Sequence, residues 1–346
     1  PVVYQELDRK EINKFSMDDI VLYGHQFKIK YDLEHCETDY IIAFYEKVDG
    51  IEIKKTRYIF SKNMPLSEKY SKSYYMNDGW AIRFENLSFH VYDLHMCDRY
   101  IPFEEEYCRS IKSIEKNEFD EMLLLRQEAL NILAHKEKKI FLISDRSNAA
   151  GDNGEAFFRY LSLKKLPDID FYFVLERDSA DYERMCSIGK VIIKGSKLHY
   201  VMQLSADYII SSSGDEYIFN PWASERKKFE IVKDLLERSK FIFLQHGITI
   251  NDISGWLNRY NKNITGFVCA AKQEAQSILD YNFYYSSDNV WLTGFPRHDR
   301  LYHAEKRQIV IMPTWRRNLT VIGDENNMLK EGFTESEYFK FYNSLI

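Results

Sequence analysis

The strongest constraint in this chain is an alternation. Between Lys138 and His303, short apolar runs take turns with segments of helical spacing. KIFLIS, FYFVLE, KVIIKG, DYIISSS, FIFLQHG, GFVCAA and NVWLTG lie among GEAFFRYLSLKK, DYERMC, KLHYVMQLS, FEIVKDLLERS and KQEAQSILD. Strands that are apolar along their whole length are buried on both faces, and parallel neighbours need a crossover that a helix supplies. The pattern therefore predicts a doubly wound, Rossmann-like α/β domain over residues 138–303. In such sheets ligands bind outside the carboxyl ends of the strands, so the residues after each strand are the ones to read.

Before that region the period changes. Residues 20–100 contain runs of period-two alternation (QFKIKYDL, DYIIAFYEKV, IEIKKTRYIF, GWAIRFENLSFHVYDL) separated by turn-forming residues. These runs predict an N-terminal antiparallel β domain, 1–110. From Ser113 to about Lys138, Phe119, Met122, Leu123, Leu125, Leu130 and Leu133 form a stripe at helical spacing, read as a connecting helix over 111–137. After HAEKRQ, the run QIVIMPTW is expected to open a second α/β domain, 304–346, with a helix near Thr334. The chain begins at Pro1 and stops inside that helix, so it reads as part of a longer polypeptide whose second domain is truncated.

Composition narrows the class. Lys and Arg number 47 against 53 Asp and Glu, a net charge of -6, which argues against a protein that wraps nucleic acid. No apolar run is long enough to span a bilayer, and the first residues lack the zones of a signal peptide, so a cytoplasmic chain is expected. Cys36, Cys97, Cys108, Cys186 and Cys269 are scattered without C-x-x-C spacing, and are read as reduced, mostly buried thiols.

Several strand tips carry chemistry. After KIFLIS, Asp145 and Arg146 leave the strand and Asp152 or Asn153 can cap the following helix, whose N-terminus is a ready anion site. After DYII come Ser211, Ser212 and Ser213, whose hydroxyls suit a phosphate or a sugar hydroxyl. After FIFL come Gln245, His246 and Gly247, and histidine is a residue type suited to general-base work near neutrality. After NVWLTG come Arg297 and His298, donors for phosphate, and Asp299, which can orient a base or cap a helix. Thr314, Arg316 and Arg317 follow IVIMP. Each tip alone is equally an ordinary loop.

In order, DNGEAFFRYL, FLQHGITINDISGWLNRYNKNI, TGFPRHDRL and MPTWRRN resemble the CDP-glycerol:poly(glycerophosphate) glycerophosphotransferase family over about residues 138–320. The resemblance implies a GT-B arrangement of two Rossmann-like domains, the acceptor on the first and the CDP-activated polyol held by the second. It implies transfer of glycerol phosphate or ribitol phosphate to a hydroxyl of a lipid-linked teichoic-acid or capsule polymer, with release of CMP. His246 then falls on the family's catalytic base, and Arg297 and Asp299 on its P-R-x-D element. His298 fills a variable position. The family's later functional segment is missing, which implies that this chain alone is inactive or very weak.

No cofactor is expected; a magnesium ion on the donor pyrophosphate is compatible with the reaction, but no Asp-x-Asp pair requires it. The lipid-linked acceptor raises membrane contact at the inner face of the cell membrane. Trp256, Leu257 and Tyr260 beside Arg259 and Lys262 have the composition of an interfacial helix, or equally of a surface helix packed on its own domain. Two other functions fit the same fold, a nucleotide-sugar glycosyltransferase and a non-catalytic assembly module.

Overall fold

The computed structural model describes residues 64–303 with gaps at 78, 94–99, 165 and 250, then 319 and 329–344, and before residue 64 the backbone of five strands. These five are β1 (Glu11–Met17), β2 (Ile20–His25), β3 (Tyr40–Ile42), β4 (Tyr45–Val48) and β5 (Ile51–Lys54), followed by β6 (Tyr75–Asn77), β7 (Trp80–Glu85) and β8 (Ser88–Asp93). β1 pairs with β2 and β4 with β5, both antiparallel, while β3, β8, β7 and β6 form a four-stranded antiparallel sheet in that order. QFKIKYDL lies outside the described residues apart from its neighbour His25 at the end of β2. The chain divides into two compact units, 1–300 and 301–346.

Two helices follow where one was expected. α1 (Tyr100–Glu115) ends at Lys116, whose φ of 54° is left-handed, and α2 (Asp120–His135) starts after the turn. The apolar stripe from Phe119 to Leu133 is therefore the inner face of α2 alone. A left-handed residue stops a helix because it turns the next N–H out of line with the ladder.

The seven remaining strands form one parallel sheet. In chain order the elements are β9 (Lys139–Ser144), α3 (Asn153–Lys164), β10 (Ile169–Leu175), α4 (Tyr182–Cys186), β11 (Val191–Ile193), α5 (Lys197–Ser205), β12 (Tyr208–Ser211), α6 (Glu216–Phe219), α7 (Arg226–Arg238), β13 (Lys240–Phe243), α8 (Ser254–Leu257), α9 (Arg259–Lys262), β14 (Ile264–Cys269), α10 (Lys272–Asp280) and β15 (Val290–Leu292). The sheet order is β11-β10-β9-β12-β13-β14-β15, with every pairing parallel. The chain winds outward from β9 to one edge, returns to β9's other side and winds to the opposite edge. The reversal puts a crevice between the tips of β9 and β12, the place where open α/β sheets bind ligands.

The apolar runs are continuous because successive residues enter different cores. Leu142, Val174, Ile209, Phe243 and Phe267 pack on one face of the sheet. Their neighbours Ile143, Leu175, Ile210, Ile242 and Val268 pack on the other. A third core joins Tyr70, Tyr74, Tyr107, Ile111, Met122 and Leu125 to Val201, Leu204, Ile231 and Leu235 of α5 and α7. At its centre Arg126 is wholly buried, bonded to Glu104 of α1 (2.8 Å) and Asp234 of α7 (2.5 Å), so three helices meet at one guanidinium.

Of the three cysteines described, Cys269 is buried, Cys108 half-buried and Cys186 exposed, so the expectation of mostly buried thiols does not hold for them. Cys36 and Cys97 lie outside the described residues, as does QIVIMPTW. In the second unit, the helix expected near Thr334 is α11 (Glu337–Asn343), capped by Ser336, whose hydroxyl accepts from Phe339 N at 3.1 Å.

Candidate active site

The site begins at the tip of β9, where Asp145 turns inward. It is 1% exposed and accepts four hydrogen bonds, from Gly154 N (2.7 Å), Asp152 N (3.0 Å), Glu155 N (3.1 Å) and the Ser212 hydroxyl (2.7 Å). Burial pushes its carboxyl above the usual range, and these four donors oppose that rise. Gly154 N and Glu155 N belong to the first turn of α3 and Asp152 N to the residue before it, so this helix N-terminus is already occupied by the protein's own carboxylate. Asp145, expected as a substrate contact, is buried and bonded within the chain, joining the β9 tip to the start of α3 and to Ser212. The fit needs glycine at 154, because a Cβ there would lie 2.4 Å from Ser144 O and 2.6 Å from the Asp145 carboxylate.

The serines after β12 close the other side of the crevice from within. Ser211 bonds to Ser144 (3.2 Å) and to Asp145 O (3.3 Å), and both Ser211 and Ser212 are buried. Both hydroxyls, expected as ligand contacts, are engaged within the chain and hold the strand tips together. Ser213 bonds to Asp215 at 2.8 Å.

After β13, Gln245 adopts a left-handed backbone, φ 59°, which an amide-bearing residue keeps only when its surroundings hold it. Its side chain is buried, donating to Val268 O (2.5 Å) and Glu274 (3.0 Å) and accepting from the Thr249 hydroxyl (3.0 Å). The turn delivers His246 to the surface beside Ser212, with Nδ1 3.3 Å from Ser212 O. A carbonyl only accepts, so Nδ1 carries a proton, and in the neutral ring Nε2 keeps its lone pair. That is the form a general base needs.

Asn153 ties this loop to the last one. It is fully buried; its amide donates to Gln245 O at 2.7 Å, and its carbonyl accepts from Arg297 N at 3.0 Å. Arg297, in the 3-10 turn Pro296–Arg300, donates to Asp152 (2.7 Å) and to His246 O (2.8 Å). Two of its five guanidinium N–H groups are used in these bonds to described residues. Around this centre Arg146, Asp299 and His298 are exposed and Gly247 half-exposed. The His298 ring lies 5.3 Å from that of Phe295.

Three of the loops picked out in the sequence thus meet at one place, and the serine loop joins them through His246 and Asp145. This ordered set, DNGEAFFRYL, QHG and TGFPR, is what a family comparison tests. The profile of the CDP-glycerol:poly(glycerophosphate) glycerophosphotransferase family matches residues 127–342. The chain belongs to that family. The minor teichoic acid biosynthesis protein GgaB of Bacillus subtilis (strain 168) is 32% identical over 352 residues, covering 99% of this chain and 38% of its own length. Solved structures of the wall teichoic acid polymerase TagF are more distant. One has 14% identity over 64% of this chain and 59% of its own, with a TM-score of 0.39, and an H548A variant has 12% identity over 54% and 47%, with a TM-score of 0.36.

Thr314 and Arg316 lie outside the described residues. The expected interfacial helix is two single turns, α8 and α9, and its Leu257 is fully buried in the sheet core, while Trp256 is 41% exposed with Lys262 over its ring. Among the described residues no helix is long and apolar enough to cross a membrane. Glu274 escaped notice, since an acidic residue in the first turn of a helix is ordinary. No local pattern reports that it reaches a loop 29 residues away.

Proposed function

We propose that the chain carries the base and part of the phosphate-binding wall of an enzyme that transfers glycerol phosphate or ribitol phosphate from a CDP-activated donor to a polymer hydroxyl. Membership of the family supports the reaction class. The observation that carries the base is the exposed His246 imidazole, held through Nδ1 by Ser212 O, which leaves Nε2 as the nitrogen for the acceptor. In the reaction the acceptor oxygen attacks the donor's β-phosphorus while Nε2 takes the hydroxyl proton. The bond from β-phosphorus to the bridging oxygen breaks and CMP leaves. Arg297 offers its remaining donors to the charge on the phosphate oxygens. In this reading residues 138–303 form the acceptor-side domain of a GT-B pair, and 304–346 begin the donor side. The acceptor is the growing polymer on its lipid carrier, met at the inner membrane face.

In the intact enzyme, His246→Ala is expected to slow CMP release by about 10²-fold or more with little change in the KM for CDP-glycerol, as a base acting on the acceptor requires. Arg297→Ala is expected to raise that KM and lower turnover together, because the guanidinium also holds His246 O. A folded His246→Ala enzyme with full turnover would refute the base assignment. Comparing CDP-glycerol with CDP-ribitol in the same assay names the polyol.

A further inference from the structure

The structure assigns a positioning role to Glu274: its carboxylate holds the loop that presents His246. The inference rests on the reading of His246 as base. Glu274 stands in the first turn of α10 and is 2% exposed; α10 follows β14, the neighbour of β13, from whose end the histidine's loop leaves. One oxygen accepts from the Gln245 amide (3.0 Å) and from Thr249 N (2.9 Å), and the other accepts from Ala270 N (2.8 Å). The first two donors bracket His246 on either side in the chain. Gln245 is the left-handed residue that turns the imidazole outward, and its NH2 group donates to Glu274 and Val268 O. With Thr249 bonded to Gln245 as well, the loop 245–249 is a closed hydrogen-bonded ring anchored on one buried carboxylate.

The chemistry calls for an ionised carboxylate rather than an amide. All three partners are donors, and a carboxylate can accept from all of them. Glutamine keeps one acceptor oxygen and turns an NH2 group towards a donor. Alanine leaves three buried donors unmatched, which favours a rearranged loop. Because a small misplacement of a reacting group is enough to lower the rate by about 10²-fold, Glu274 is expected to act on turnover through His246 without touching substrate.

The test uses Glu274→Gln and Glu274→Ala in the intact enzyme, each alone and combined with His246→Ala, with CMP release from CDP-glycerol as the rate and thermal melting as the check on folding. Expected are losses in kcat of about 10-fold for the glutamine and about 10²-fold for the alanine, KM unchanged, and no further loss in the His246→Ala background. The second readout is nitrogen NMR of the labelled His246 ring. The native imidazole should show the Nδ1–H form, and Glu274→Gln should shift it towards the mixture of a mobile ring. Full turnover and a native ring signal in Glu274→Gln would overturn the assignment, as would losses that multiply independently with His246→Ala. If Glu274→Ala fails to fold, the glutamine variant decides alone. A His246→Ala enzyme with native turnover would instead sink the base, whatever Glu274→Gln does to the ring signal.

Discussion

At the scale of single residues, Asp145 and Gly154 explain why the first βα loop can carry a site at all. The carboxylate replaces an external anion at the helix N-terminus, and the missing Cβ lets strand tip and helix approach. Gly154→Ala should therefore lower unfolding stability by about 1–3 kcal/mol in denaturant titration, because the added methyl would press on the Ser144 carbonyl and on the Asp145 carboxylate held by its hydrogen bonds. His199 on α5 makes a prediction of another kind. It lines a cavity with Lys194, Tyr217 and Gln203, its Nδ1 accepts from Gly195 N, and burial, then the Lys194 charge, push its pKa down to about 4. Lys194 is itself paired with Glu176 at 3.0 Å. Below about pH 6.5 the unfolded chain binds a proton that the folded one refuses, so stability falls as pH drops from there towards 4. The His199 share of that loss is on the order of 3 kcal/mol, and His199→Gln should flatten the melting profile over that window.

Among elements, the decisive contact is the buried guanidinium shared by α1, α2 and α7. Arg126 also donates to Ile231 O at 3.1 Å and lies under the Tyr107 ring. Removing one partner leaves a buried charge unmatched, so Asp234→Ala should cost about 3–5 kcal/mol by urea unfolding. Replacing Arg126, Glu104 and Asp234 together by apolar residues of similar volume should recover most of that loss. If the single and triple variants unfold alike, the charge is not what matters there. The two-helix arrangement has a cause visible in hindsight, since Lys116 and Asn117 between two apolar stretches suit a turn.

For the molecule as a whole, residues 64–135 pack against the parallel-sheet region through one shared apolar core. Tyr70, Tyr74 and Tyr107 are each at most 2% exposed, and Tyr107 bonds to Glu230 O at 2.9 Å. A chain beginning at residue 137 would expose the matching faces of α5 and α7. It is expected to bind a hydrophobic dye and to melt without a sharp transition, whereas the chain from residue 1 melts cooperatively. A soluble, cooperatively melting truncation would show that the two parts fold independently.

Local pattern determined the parallel sheet, the order of its strands along the chain and the tips that carry polar residues, because period and strand-end chemistry are properties of neighbouring residues. That His246 and Arg297 follow strand ends was legible for the same reason. Which of these side chains are buried against neighbours and which stay exposed was decided by tertiary structure alone. Asp145, Asn153, Ser211 and Ser212 read as ligand contacts, yet each is buried and spent on its neighbours. The bond from Arg297 to Asp152 spans 145 positions and that from Asn153 to Gln245 spans 92. A buried polar group must find a partner wherever the fold brings one, and no periodicity along the chain encodes that partner. Glu274 and Arg126 look like surface charges in the sequence because their partners come from other elements, and folding turns them into the fixed points of the loop and the helices.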